Sequence, residues 1–132
     1  MADFEQIIQD FAEYLDWSIT WNDGSANVEF EIESGEVQTL FITNNGETVE
    51  FDVFSKYLFE NEEDIAHSVS TQLLMRNTEL EVGAWVLEKL DDGWHFSVMY
   101  NEDLDTLESM DYDELDVNLK IILQEARSLA LE

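Results

Sequence analysis

The chain has 132 residues, with 32 acidic side chains against five basic ones and a formal net charge of −27 at pH 7. Its length fits one domain spanning residues 1–132, and a hydrophobic content of 45% is enough for a packed core, which excludes an acidic disordered chain. So few cations exclude direct binding to a nucleic-acid backbone, and they disfavour attachment to an anionic membrane surface.

Phe4, Ile7, Ile8, Phe11, Tyr14 and Leu15 repeat at helical spacing, so residues 3–16 are expected to form an amphipathic first helix. The period then changes. Trp17, Ile19 and Trp21 alternate with polar residues before the turn Asn22–Ser25, and Val28, Phe30 and Ile32 alternate with Glu29, Glu31 and Glu33 in a half-buried strand. A second strand is expected over 37–43. It is followed by the hairpin turn Asn44-Asn45-Gly46 and a third strand in which Val49, Phe51 and Val53 alternate with Glu50 and Asp52. Residues 55–66 read as an acidic connection with an apolar patch, Tyr57-Leu58-Phe59. A second helix is expected over 67–77, strands over 84–90 and 94–100, and a last helix from Asp111, where Asp111 and Glu114 have capping-box spacing. The predicted order is α-β-β-β-α-β-β-α: an α+β fold with an antiparallel sheet of about five strands and helices packed on one face.

One segment carries more detail: Ile65 to Asn77 ending in Leu73-Leu74-x-x-Asn77, then the Gly-led hairpin Gly83-Ala-Trp-Val-Leu-Glu88 and Asp92-Gly-Trp-His-Phe-Ser97. With the element order, it resembles the YbjN family of small bacterial proteins, which shares the fold of class I type III secretion chaperones. The resemblance covers about residues 4–130. It implies a compact α+β domain, often a homodimer, without enzymatic activity. In the secretion chaperones, an extended client segment lies across the first helix and sheet.

Searches for chemistry return little. The five glycines stand ten or more residues apart, which excludes phosphate-binding glycine loops and the nucleophile elbow. With no cysteine and only His67 and His95, no disulfide framework, thiolate site or zinc-ligand spacing exists. Asn101, Asp103 and Asp105 alternate like calcium ligands, but Thr106 and Tyr112 occupy the positions where an EF-hand needs Gly and Glu. No catalytic residue, metal ligand or cofactor is therefore assigned. The start lacks the basic and apolar regions of a secretory signal, and no apolar run approaches membrane length, so a cytoplasmic location is expected.

The reading is a non-enzymatic protein-binding module, a chaperone-like adaptor or regulator whose partner is a protein or client segment, with a basic partner favoured by charge. Candidate contact residues are Tyr57, Leu58, Phe59, Met75 and Arg76. The candidate acidic face comprises Glu29, Glu31, Glu33, Glu50 and Asp52. Two alternatives are an acidic mimic that occupies a DNA- or RNA-binding protein and, behind it, a divalent-cation-binding protein. Because the repulsion among so many acids is screened by salt, the melting temperature should fall when salt is lowered from about 500 to 10 mM. Scanning calorimetry across that range checks this, and an unchanged melting temperature contradicts it.

Overall fold

The computed structural model describes residues 3–31 and 35–129. Helix α1 (Phe4–Leu15) begins at Asp3, whose carboxylate accepts the Glu5 N–H at 3.0 Å and so satisfies a donor that no helix can pair internally. The helix ends at Asp16, in the left-handed conformation with φ 58°. Its spacing puts Phe4, Ile7, Ile8, Phe11 and Ala12 on one buried face.

Four strands follow: β1 (Ile19–Asn22), β2 (Ser25–Glu31), β3 (Val37–Asn44) and β4 (Thr48–Phe59). A single 3-10 turn at Glu62–Asp64 leads to α2 (His67–Asn77). The chain continues through β5 (Ala84–Leu90), β6 (Gly93–Asp103), the short helix α3 (Leu104–Ser109) and α4 (Tyr112–Ser128). The sheet has six strands in the order β1-β2-β3-β4-β6-β5, and every pairing is antiparallel.

The expected class is the one observed, with two added elements. The sixth strand is β1, only four residues long. It becomes a strand because Asp23 and Gly24, with φ 41° and 85°, form a two-residue turn with both central residues at positive φ, the geometry that matches hairpin twist. The last helix is preceded by α3, which takes up Asp105 and Thr106.

The longest pairing joins β4 to β6, from Thr48 opposite Asp103 to Phe59 opposite Trp94. Its register shifts between Phe54 and Leu58: between the pairs Phe54–Ser97 and Leu58–His95, three residues of β4 (55 to 57) stand against one of β6 (Phe96), leaving two extra residues in β4. Such a bulge bends a strand and increases its twist. On one face of the sheet Leu40, Ile42, Phe51, Val53 and Val98 are fully buried, and there α4 lays down Leu115, Leu119, Ile122 and Leu123. By strict alternation, Phe41, Glu50, Asp52, Phe54 and Ser97 point to the other face, which α1 and α4 leave uncovered.

Helix α2 is tied to the sheet by polar contacts more than by apolar ones, since Leu73 is its one buried residue. The Asn77 side chain accepts the Trp85 N–H at 2.6 Å and donates to the Trp85 carbonyl at 3.2 Å, so one amide stands in for a neighbouring strand. Glu125 on α4 gathers the Arg76 guanidinium at 2.7 Å and the Trp85 indole N–H at 2.6 Å. Gly83 lies between α2 and β5 with φ +79°, and a Cβ there would meet the Met99 carbonyl oxygen at 2.9 Å. These contacts give Leu-Leu-x-x-Asn and the Gly-led hairpin a structural reason. Asn77→Ala should therefore destabilise the fold by about 1–3 kcal/mol, because it strands two backbone groups of Trp85. A urea titration that shows no shift in midpoint would contradict this.

Candidate functional site

A hollow lies on each side of the sheet. On the helical side a groove of about 750 Å³ runs between α4 and the β1–β2 hairpin. Trp17 and Phe30 meet edge to face at 6.2 Å between ring centres and are only half-buried. Leu80, Val117 and Ile121 add apolar surface, and Val117 is 56% exposed. The rim is polar. Lys120 pairs with Asp116 at 2.7 Å, and Arg127 donates to Gln38 at 2.7 Å and to Gln124 at 2.6 Å. The rim therefore holds two of the five cations beside Glu31, Asp116 and Glu125, while Trp17, Phe30, Leu80, Val117 and Ile121 form an apolar floor.

The contact residues expected from sequence are dispersed. Tyr57, Leu58 and Phe59 do not lie in a connection; they form the last part of β4, where Leu58 faces His95 and Phe59 faces Trp94. The bulge lets β4 continue past Phe54 through a stretch whose charges had suggested a loop. Tyr57 and Phe59 pack against the core, Phe59 edge-on to Phe96 at 6.0 Å, and only Leu58 is exposed. On α2, Met75 and its neighbour Leu74 are each 67% exposed. Arg76 is engaged inside the molecule by Glu125 and by the Ser128 hydroxyl.

The expected acidic face divides in a similar way. Glu33 lies outside the described residues. Glu29 and Glu31 on β2 face Thr39 and Val37 of β3, whereas Glu50 and Asp52 on β4 face Thr43 and Phe41. Strand β3 thus separates the two acidic rows, and the like charges are not directly opposed. A different cluster forms instead: Glu50, Asp52 and Glu88 each place a carboxylate oxygen within 4.8 Å of the other two. Sequence reading missed Glu88, since nothing in Trp85-Val-Leu-Glu88 marks it. Its register is against His95, six residues along β6 from Asn101, the partner of Glu50. In a flat sheet, six residues along and two strands across would hold Glu50 and Glu88 about 22 Å apart. Two glutamate side chains span only about 10 Å of that. The contact therefore requires a sheet coiled over this face, as twist and the β4 bulge together produce.

The cluster lines a second hollow of about 490 Å³ with Phe41, Thr43 and Phe54. Asp52 is only 6% exposed, and its Oδ1 has no hydrogen-bond partner. On the same face lies the hydroxyl of Ser97, 0% exposed and beside Glu88. A buried acceptor left unsatisfied costs about 1–3 kcal/mol. Two unit charges this close repel by about 3.5 kcal/mol or more at an effective dielectric near 20. The ion pairs among the described residues are Arg76–Glu125, His95–Asp92 and Lys120–Asp116, so none neutralises the cluster. Burial, a proton shared with Glu50, and the charges of Glu50 and Glu88 push the Asp52 carboxyl up from 3.8 to about 9. Glu88 is also raised, by burial and then by Glu50, with His95 and Ser97 acting in the opposite direction.

The fold defines a class: the α+β architecture of the secretion chaperones and of YbjN. Solved structures share it. One is the HopA1–SchA chaperone–effector complex, with a TM-score of 0.61 and 12% identity over 93% of this chain and 89% of that one. Another is YbjN from E. coli, described as a proposed transcription regulator, with a TM-score of 0.58 and 12% identity over 89% of this chain and 86% of that one. At such identity the likeness is one of fold. No protein-family model matches the sequence, and no curated protein matches it. Among the described residues, no helix is long and apolar enough to cross a membrane.

The state of Asp52 has a measurable consequence. Between 3.8 and about 9 the unfolded chain ionises this carboxyl while the folded chain keeps it protonated, so stability falls as pH rises through that window. Without divalent cations, Asp52→Asn should flatten that slope. At about pH 8 it should stabilise the protein by more than about 1.4 kcal/mol, the equivalent of one pKa unit. Denaturant midpoints that keep the wild-type pH slope in the variant would overturn this.

Proposed function

We propose that this chain is a non-enzymatic protein-binding module, a chaperone-like adaptor or regulator that holds an extended partner segment in the groove along α4. The observation that carries the reading is the groove itself: a floor of Trp17, Phe30, Leu80, Val117 and Ile121 that stays open to solvent. The basic side chains of the rim are paired or bonded within the chain, which leaves the floor to bind by apolar burial. Each fully covered large side chain is worth about 1.5–3 kcal/mol. The shared fold of a chaperone that holds an effector protein supports the reading. A net charge of −27 favours a segment whose apolar residues are flanked by Lys or Arg, because such flanks speed encounter and select against acidic competitors. The nucleic-acid-mimic reading has less support: its acidic rows on β2 and β4 are interrupted by Thr39, Phe41 and Thr43 of β3.

A photo-crosslinking residue at Val117, with one at Phe41 as control, tests the proposal in the full chain. Position 117 should capture a partner segment with apolar residues next to Lys or Arg. Val117→Glu, an exposed substitution that leaves the core intact, should weaken that complex at least tenfold, about 1.4 kcal/mol. A complex that crosslinks equally at position 41, or that Val117→Glu leaves unchanged, would overturn the assignment of the groove.

A further inference from the structure

We propose that Glu50, Asp52 and Glu88 bind one hard divalent cation of calcium's size on the coiled face of the sheet. The geometry is the first support. Calcium holds oxygen ligands at 2.3–2.6 Å, so two oxygens on opposite sides of the ion stand about 4.6–5.2 Å apart. Each of the three carboxylates offers an oxygen within 4.8 Å of the other two, so the set closes around calcium without rearranging the backbone. The donors are all hard oxygens from residues on two strands, and neither histidine nor cysteine belongs to the set. That chemistry selects calcium, magnesium or manganese over zinc or copper. Magnesium keeps its water reluctantly exchanged and demands a tighter octahedron, which suits it less to three converging carboxylates.

The second support is independent of the crowding of acids. Asp52 is 6% exposed and is the buried member of the set, and its Oδ1 has no hydrogen-bond partner. Buried polar atoms in folded proteins are paired as a rule, and an ion is one of the explanations for an exception. The chain's own cations do not fill the role. Lys89 borders the hollow, but its Nζ lies over the Trp94 ring at 5.7 Å, and the other four basic residues are engaged elsewhere. Thr43, opposite Glu50 in the register, borders the same hollow beside solvent, so neutral oxygens are at hand to complete a shell of six to eight.

The test uses the full chain after treatment with a chelator, at constant ionic strength so that general screening cannot vary. Titration calorimetry with calcium chloride should show one saturable site, and saturating calcium should raise the melting temperature by roughly 10 °C. Magnesium at the same concentration should raise it less. Glu88→Gln, which keeps the side-chain shape, should weaken calcium binding at least tenfold, and Asp52→Asn should do the same through a different ligand. Absence of a saturable calcium signal would overturn the proposal. So would calcium binding in both variants as strong as in the wild type, or equal shifts from calcium and magnesium in all three proteins, which would identify diffuse screening of the acidic surface.

Discussion

The pairing of β4 with β6 is the constraint on which the rest of this structure depends. The two strands are not consecutive; the chain leaves β4, forms α2 and the edge strand β5, and only then lays β6 beside β4. On one face of this pair stand Phe51, Val53 and Val98, the floor on which α4 packs. On the other stand Asp52 and Ser97, two buried polar residues. The bulge at Phe54–Leu58 belongs to the same pair, and the coiling it supports brings β5 within reach of β4. Core, curvature and carboxylate cluster are thus consequences of one ladder.

The scarcity of positive charge shapes the surface as much as the excess of negative charge. All five basic side chains have intramolecular roles. Arg76 joins α2 to α4 through Glu125, Lys120 pairs with Asp116, and Arg127 reaches Gln38 and Gln124. Lys56 and Lys89 lie over the rings of Tyr57 and Trp94. Exposed pairs of this kind contribute little to stability, and the gain is larger where the partner is half-buried, as at Glu125, which also receives the Trp85 indole. The acids thus face solvent with few cations left to balance them, and the groove along α4 is an apolar interruption in that field.

Elements with a strong local period were legible in the sequence. Helix α1 and strands β2, β3, β5 and β6 were visible because a buried face imposes its spacing on every second or third residue. The class of fold, and the likeness to the secretion chaperones, followed from their order. Strand β1 was less visible, because four residues become a strand only through the turn at Asp23–Gly24. The end of β4 was hidden behind Lys56 and the acids beyond Phe59, which imitate a loop. Glu50 and Asp52 were singled out as acidic, but their meeting with Glu88 depends on sheet coiling, a property of the whole ladder that no local pattern encodes. The groove was missed for a similar reason. Trp17, Phe30 and Val117 each look like ordinary members of amphipathic elements, and only packing shows which of them remain uncovered.

The Asn77 amide also has an effect beyond anchoring a helix. Strand β5 is an outer edge of the sheet, and such an edge invites a foreign strand to extend the ladder. In an antiparallel pair alternate residues turn their backbone groups outward; those of Trp85 are already taken by Asn77, which leaves Leu87 and Lys89 to offer theirs. Two residues make a poor template, and Lys89 is the kind of charge that discourages flat stacking. The side chain that docks α2 also shortens the adhesive margin of the sheet. On this edge, few backbone groups are left to pair with a foreign strand.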